Sequence, residues 1–506
     1  MYPIRLGTDE QFAALRHALQ SANYTEPAIC QAFHITRTSE LRTAADFDPG
    51  TDPFDVLRIL VRLFIGGGSI HPAAAANLPL RELQDLGLIA VTETQVDSTV
   101  MLYPTHGLYI VSDRNLKDPQ QDVVYPAIVP NTDLFLDHIP PADCDAFLDL
   151  CAGTGIAALI AARNGASHAW AFDITARSTH FAEFNRRLNN VPNVTPLEGD
   201  LYDPARSQTF DRIAAHPPYL PVYRPHLVFD SGGQDGEQIV RRIVEGLPKY
   251  LRPGGRFYAL TMGSDRAEPF ENRLREWLGE SAPEFDIAFV VRRTLAPRDY
   301  AADAVIGHQG SIDDIAQWRE LFIEWGVRSL VYGLVVIQRR ASARPVFTIR
   351  REASPNTGPA ECAWLIEWAT AASDPNLILE AKPHAGKHAS LRIDHRLAEG
   401  AWQPQSYRLE SQYPFAVTMR AEPWIANLLT LADGTRTTSE LLATLIPTAD
   451  PIEFARLTAT MIFAGLLELD EFKLPVPRDN CPPNPTLNLC PSAASPTSIL
   501  KTTGSS

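Results

Sequence analysis

What this chain lacks narrows it first. Its six cysteines, Cys30, Cys144, Cys151, Cys362, Cys481 and Cys490, are scattered without a Cys-x-x-Cys spacing. That scatter argues against a structural zinc or a disulfide framework and for a reducing, cytoplasmic compartment. No apolar run reaches the roughly 18 to 20 residues that cross a bilayer, so no membrane partner is expected. The opening Met1-Tyr-Pro-Ile-Arg-Leu6 has no basic segment followed by an apolar one, the order of a secretory leader. Positive charge is scarce as well, with Lys and Arg at 45 against Asp and Glu at 60 and a net charge of −15. Enzymes of nucleic acids need basic grooves to neutralise phosphates, so this balance lowers such a substrate without removing it. Arg186-Arg187 and Arg241-Arg242 read either as pieces of a local basic patch or as solvated faces of helices.

What is present centres on Asp149-Leu-Cys-Ala-Gly-Thr-Gly155, then Asp173, then His216-Pro-Pro-Tyr219. An apolar run, Ala146 to Leu148, ends in an acid and a glycine turn, and an alanine-rich helical segment from Ile156 to Arg163 follows. A second run, Ala169 to Phe172, ends in Asp173. This is the layout of a parallel sheet that binds a nucleoside at its carboxyl edge. Gly153 and Gly155 are expected to let backbone approach the ligand where a side chain would block it. Asp173 is expected to accept hydrogen bonds from two ribose hydroxyls. A dinucleotide fingerprint needs a third glycine for close helix packing, and Ile156, Ala157 and Ala158 stand there instead. Asp149 would repel a pyrophosphate, whereas it suits a ligand carrying an ammonium and a sulfonium. Taken alone, the loop reads as a methyl-donor site or as a tight turn only.

With the downstream residues added, the chain resembles the class I S-adenosylmethionine-dependent methyltransferases. The resemblance is to the Asn-Pro-Pro-Tyr branch that methylates amide and exocyclic amine nitrogens, such as release-factor glutamine methyltransferases and rRNA base-amine methyltransferases. It runs over roughly residues 120–340 and implies S-adenosyl-L-methionine as the cofactor. It assigns Asp149, Cys151, Gly153 and Gly155 to the first donor-binding motif, Asp173 and Ile174 to the ribose-binding tip, and Asp200 and Leu201 to the turn at the adenine. Thr132, within Val129-Pro-Asn-Thr-Asp133, corresponds to a hydroxyl near the methionine part of the donor, and reads equally as the N-cap of the helix through Leu134 and Leu136. Ser231-Gly-Gly-Gln-Asp-Gly236 and Leu251-Arg-Pro-Gly-Gly255 follow in the family's order.

His216-Pro-Pro-Tyr219 occupies the signature tetrapeptide, so His216, Pro217 and Tyr219 form the implied catalytic set. The family carries Asn or Asp where His216 stands. A neutral imidazole offers one acceptor and one donor and does not reproduce a carboxamide. It orients a single N–H or acts as a base, and with an ordinary imidazole pKa activity should fall below about pH 6.5. Alternatively His216 is a structural strand-end residue of an altered or inactive core. Two prolines fix φ and supply no N–H, which holds rigid backbone where ladder bonding has stopped. The Pro217 carbonyl remains an acceptor, and Tyr219 supplies one wall for a planar group.

The expected architecture is an α/β, Rossmann-like, seven-stranded methyltransferase core flanked by N-terminal and C-terminal winged-helix-like α+β domains. Residues 1–118 read as a helical, winged-helix-like substrate or packing domain, with Phe12, Leu15 and Leu19 at helical spacing, a helix over Asp55 to Phe64 stopped by Gly66-Gly-Gly68, and a short helix ending at Gly87. Residues 119–340 are the methyltransferase domain, with a helix over Ile315 to Trp325 and a last buried strand over Val331 to Gln338. Residues 341–475 read as an accessory domain with strand-like Ser390 to Asp394 and Tyr407 to Leu409, three helices and a terminal strand near Leu469, and Trp424 in its core. Residues 476–506, rich in Pro, Ser, Thr and Asn, are expected to be disordered or extended.

His384, His388 and His395 invite a zinc reading, but two lysines intervene, so a solvated loop and no metal is expected. The acceptor classes left open are a nitrogen, or an oxygen, on a peptide or small molecule, favoured by the acidic charge; an exocyclic base amine in RNA or DNA; and a non-catalytic binding protein built on a degenerate core. The oligomeric state is not legible.

Overall fold

The computed structural model describes residues 2–41, 55–114, 122–141, 143–221, 232–307, 312–341 and 344–474. The expected tail over 476–506, the boundary at 118/119 and Ser231 lie outside the described residues.

The N-terminal unit holds α1 (Asp9–Ser21), α2 (Glu26–Phe33), α3 (Val56–Leu60), α4 (Leu80–Asp85) and two hairpins, β1 (Ile89–Val91) with β2 (Val96–Ser98), and β3 (Met101–Thr105) with β4 (Leu108–Ser112). α1 starts where Thr8 and Gln11 form a reciprocal capping box, and it buries Phe12, Leu15 and Leu19. After α3 the chain continues as a π-helical turn over Val61–Gly66 and stops at Gly67, whose φ of 73° is left-handed.

The core follows with α5 (Pro130–Asp137), β5 (Cys144–Leu150), α6 (Ile156–Arg163), β6 (Ala166–Asp173), α7 (Ala176–Leu188), β7 (Val194–Glu198), β8 (Phe210–Ala215), α8 (Gln238–Tyr250), β9 (Leu251–Asp265), α9 (Phe270–Trp277), β10 (Phe285–Leu295), α10 (Pro297–Gly307), α11 (Ile312–Glu324) and β11 (Ser329–Arg339). The C-terminal unit adds β12 (Thr348–Ala353), α12 (Pro359–Ala371), α13 (Pro375–Glu380), β13 (His384–Ala385), β14 (Ser390–Ala398), β15 (Ala401–Ser411), β16 (Phe415–Ala421), α14 (Pro423–Leu431), α15 (Thr438–Leu445), α16 (Pro451–Phe463) and β17 (Leu467–Glu468).

One sheet of 11 strands runs through both, in the order β14-β15-β16-β12-β10-β11-β9-β8-β5-β6-β7. Strands β5 to β9 pair in parallel, and β11 enters antiparallel between β9 and β10. The expected seven-stranded, Rossmann-like core is therefore the β7-to-β10 portion. The sheet does not stop near Arg340, because β12 pairs in parallel with β10 and carries the hairpin strands with it. The strand-like pieces at Ser390 and Tyr407 are ends of this long hairpin.

The alternation of side chains explains why the central strands are apolar on both faces. In β5, Ala146, Leu148 and Leu150 face one core with α8 and α9, while Phe147 faces the opposite one with α6, α7 and the N-terminal unit. In β11, Leu334 and Val336 face the C-terminal helices, whereas Val335 and Ile337 face α8 and α9. Through the centre of the sheet both faces are covered, by different units towards its two ends, whereas β14 and the first half of β15 are exposed.

Polar pairs dock the N-terminal unit onto the core. Asn185 of α7, fully buried, accepts the Val111 amide at 2.8 Å and donates to the Val111 carbonyl at 3.1 Å. Asn189 repeats the pair with Tyr109 at 2.8 and 2.7 Å. On α5, the buried Asp133 carboxylate accepts from Ser39 at 2.6 Å and lies 3.3 Å from the His106 ring, while Arg37 reaches Asp137 at 2.6 Å. The two core helices nearest the crevice are thus held by the N-terminal unit.

Candidate active site

Strand order reverses at β5, which has β6 on one side and β8 on the other. A parallel sheet leaves a crevice at the carboxyl ends of such strands, and the loops that leave β5, β6, β7 and β8 all meet there. Asp149, the acid at the end of the apolar run, lies within β5, 3% exposed. Its carboxylate accepts the Ala158 amide at 3.2 Å, in the first turn of α6. Burial pushes its pKa up to about 8, with the Asp173 charge adding in the same direction. Cys151, the next residue but one, holds a φ of 57°, and burial pushes its thiol well above the ordinary range.

The two glycines do different work. Gly153, at φ 52°, faces open space, with nothing within 4 Å of the position a Cβ would take. Gly155, at φ 76°, is packed shut, because a Cβ there would come within 2.9 Å of the Ala182 Cβ on α7. Gly155 therefore permits close helix packing, the role that a dinucleotide fingerprint gives to its third glycine, and of the two only Gly153 has open space beside it.

Asp173 ends β6 and accepts the Gly153 amide at 2.8 Å and the Thr175 amide at 3.1 Å. Burial raises its pKa, and these backbone donors oppose the rise. Ile174 beside it is 54% exposed, a large apolar side chain at the crevice mouth with little protein to cover it. Across the crevice Asp200 pairs with Arg242 of α8 at 2.7 Å, and Leu201 holds a φ of 47°. Thr132 lies in the first turn of α5, 9% exposed. The N-cap of that helix is Val129, with Pro130 at the first helical position, so the capping reading of Thr132 is overturned.

His216, Pro217, Pro218 and Tyr219 follow β8 directly. His216 is partly buried, with its ring centroid 5.2 Å from Phe135 of α5 and 5.8 Å from Tyr219, the latter nearly parallel at 19°. Burial pushes its pKa down to about 4, so the imidazole is neutral well below pH 6.5, and the acid limit expected from an ordinary histidine moves down with it. Tyr219 is 7% exposed, its hydroxyl 3.2 Å from the Asn131 side-chain nitrogen and its ring 5.6 Å from Tyr332 of β11. The return loop presses on this segment: Gly232 donates to the Leu220 carbonyl at 3.1 Å, and a Cβ on Gly236 would meet the Tyr219 carbonyl at 2.7 Å.

Open space over Gly153, the uncovered Ile174 and an acidic tip at Asp173 fit a nucleoside carrying a positive sulfonium. Sequence reasoning missed Phe135, Asn131 and Tyr332, which come from α5 and β11. The first two sit in or just after the Val129–Asp133 stretch, and only the docking of α5 against β8 makes them neighbours of the tetrapeptide. Among the described residues no group of three His, Cys, Asp or Glu is placed to hold a metal, and His384 and His388 sit instead beside Asp470 and Tyr413. No helix among the described residues is long and apolar enough to cross a membrane.

All four arginines that suggested a basic patch are paired with acids: Arg186 with Glu183, Arg187 with Asp9, Arg241 with Glu245 and Arg242 with Asp200.

Residues 127–283 match the family described as the methyltransferase small domain. A putative protein N5-glutamine methyltransferase of Methanocaldococcus jannaschii is 36% identical over 162 residues, 31% of this chain and 76% of that protein. A release factor glutamine methyltransferase of Thermodesulfovibrio yellowstonii is 33% identical over 138 residues, 25% of this chain. The chain spans about half the length of the release factor enzymes it matches, 49% of that one and 53% of its counterpart in Moorella thermoacetica. Among solved structures, a ribosomal protein L11 methylase of Lactobacillus delbrueckii subsp. bulgaricus aligns at 17% identity and a TM-score of 0.26, covering 47% of this chain and 95% of its own. By the sequence relationship, carried on the crevice and tetrapeptide just described, this chain belongs to the class I S-adenosylmethionine-dependent methyltransferases of the methyltransferase small domain family.

Proposed function

We propose that this protein transfers a methyl group from S-adenosylmethionine to a nitrogen on a peptide or protein, with a glutamine side-chain amide as the favoured acceptor. The observation that carries the reading is the neutral His216-Pro-Pro-Tyr219 segment at the end of β8, beside the glycine loop of β5. The relatives named as glutamine methyltransferases support the acceptor. The pairing of Arg186, Arg187, Arg241 and Arg242 with acids weighs against a nucleic-acid groove at those positions.

When bound, S-adenosylmethionine supplies a methyl carbon already activated by a sulfonium. Asp173, the Gly153 backbone and Ile174 would hold its nucleoside, Asp200 and Leu201 would line the adenine, and Asp149 with Cys151 and Thr132 would face the remainder. The residues of the tetrapeptide then have to position an acceptor nitrogen and exclude water. His216, being neutral, accepts one N–H through its free ring nitrogen, and the Pro217 carbonyl accepts the other. This turns the nitrogen lone pair into the crevice, and the proton that the nitrogen sheds on methylation leaves along its bond to His216. Tyr219, fixed by Asn131, forms the wall against which a planar amide lies.

We read the flanking units as winged-helix-like, supported by α4 followed by the β1–β2 hairpin and by α14 to α16 with the β13–β17 pair. The domain limits at 118, 340 and 475 and a cytoplasmic location belong to the same reading, the latter supported by the free thiols of Cys30, Cys144, Cys151 and Cys362. Incubating the protein with labelled donor and glutamine-containing peptides, followed by mass detection of methylglutamine, tests the function. Label appearing only on RNA or DNA would overturn it.

A further inference from the structure

The family match ends at residue 283, before β10. Beyond it, Leu295 of β10 and Leu330 of β11 are paired across the antiparallel ladder, so a short turn after Leu295 would suffice to join the strands. The chain instead places α10 and α11 between them. β10 runs in the direction of β9, because each is antiparallel to β11, and β9 is parallel to β8. The end of β10 therefore lies at the same edge of the sheet as the end of β8, and α10–α11 rises beside the tetrapeptide.

Its contacts there are specific. Tyr300 of α10, 4% exposed, donates its hydroxyl to the Pro221 carbonyl at 3.1 Å, two residues after Tyr219. The Tyr300 ring meets Trp318 of α11 edge-on at 5.5 Å and Phe322 at 5.9 Å, both nearly fully buried. Tyr300, Trp318 and Phe322 share one apolar cluster with Tyr219, Leu220 and Tyr332. The acceptor-side backbone is thus fastened twice: from the family-matched return loop, through Gly232 on the Leu220 carbonyl, and from the inserted hairpin, through Tyr300 on the Pro221 carbonyl.

We propose that the α10–α11 insertion is this enzyme's acceptor-selecting element and that Tyr300 is the positioning residue through which it sets the tetrapeptide. The proposal rests on the methyltransferase reading above and adds to it a part of the chain beyond the residues that match the family. The residues assigned to the donor lie on α5 and at the ends of β5, β6 and β7, whereas the Tyr300 bond falls on the segment after β8, so the insertion acts on the acceptor side. The Tyr300 ring packs while its hydroxyl bonds, which makes Tyr300→Phe a near-isosteric test: it keeps the cluster and removes the hydroxyl that reaches the Pro221 carbonyl.

Hydrogen exchange on the full chain reads the tether without any acceptor. Tyr300→Phe should speed exchange in a peptide covering 232–238, where the Gly232 amide is bonded to Leu220 and the Gln238 amide to Gly232, by about tenfold, the scale of one lost hydrogen bond, and leave β5 to β7 unchanged. In turnover with a glutamine-containing peptide, acceptor KM should rise about tenfold with kcat within about twofold, while S-adenosylhomocysteine affinity by calorimetry stays the same. Unchanged exchange at 232–238, or an unchanged acceptor KM in an active enzyme, overturns the proposal. Failure of the wild type to bind S-adenosylhomocysteine sinks the methyltransferase reading instead, and the exchange experiment then still reports on the tether.

Discussion

Gly155 sits against Ala182 so closely that an added Cβ would come within 2.9 Å of the Ala182 Cβ, although Gly153, two residues earlier, faces empty space. One glycine loop therefore divides between packing and ligand access. Gly155→Ala should destabilise the fold by about 2 kcal/mol or more, combining a left-handed φ with a clash against a helix. Gly153→Ala meets only the backbone cost, about 1 kcal/mol, and should weaken donor binding more than stability. Urea melts beside calorimetry with S-adenosylhomocysteine check the split, and equal stability losses in both variants would contradict it.

Burial of Asp149 gives a proton linkage. Its carboxyl titrates near pH 8, so at pH 7 it is largely protonated in the free protein. A cationic ligand nearby favours the ionised form, so donor binding should release up to one proton at pH 6 to 7 and tighten as pH rises toward about 8. Calorimetry of S-adenosylmethionine binding in buffers of different ionisation enthalpy counts that proton. Asp149→Asn should abolish the release while keeping an acceptor for the Ala158 amide. In the ligand-free protein the native state binds more protons than the unfolded chain between about pH 4 and 8, so this residue makes stability fall as pH rises through that window.

His216 should set the acid limb of activity. Its pKa lies near 4, below the unfolded value of about 6.5, so the native protein binds fewer protons between those values, and this residue makes stability rise with pH there. Turnover should stay level from pH 7 to about 5 and fall only toward pH 4. An inflection near pH 6.5 that disappears in His216→Asn would show instead an exposed, ordinary imidazole. His216→Ala should lower kcat by roughly 10²-fold, the scale of a lost base or a positioned acceptor, with S-adenosylhomocysteine affinity nearly unchanged.

Asp173 holds the loop as well as its expected ligand. Asp173→Ala removes a charged acceptor and leaves the Gly153 amide without its 2.8 Å partner. S-adenosylhomocysteine binding should weaken by about 1.5 to 3 kcal/mol. Undiminished affinity by calorimetry would remove Asp173 from the donor site.

By itself the sequence determined the core topology and the edge where chemistry sits. Apolar runs that end in Asp149 and Asp173, a glycine loop and a rigid Pro-Pro pair are local signals, readable because strand period, turn chemistry and proline geometry act within a few residues. Only the tertiary structure decided what needed distant partners. Ala182 makes Gly155 a packing residue, and the buried Asp149 carboxylate reaches the next helix at the Ala158 amide. Burial against Phe135 and Tyr219 takes His216 away from its ordinary pKa. Helix α11 was legible as the stretch from Ile315 to Trp325, but its docking with α10 beside Pro221 and the continuation of the sheet through β12 were not, since edge pairing and docking depend on contacts across tens of residues. Burial and hydrogen bonds between distant segments set these properties, and a pattern along the chain does not carry them.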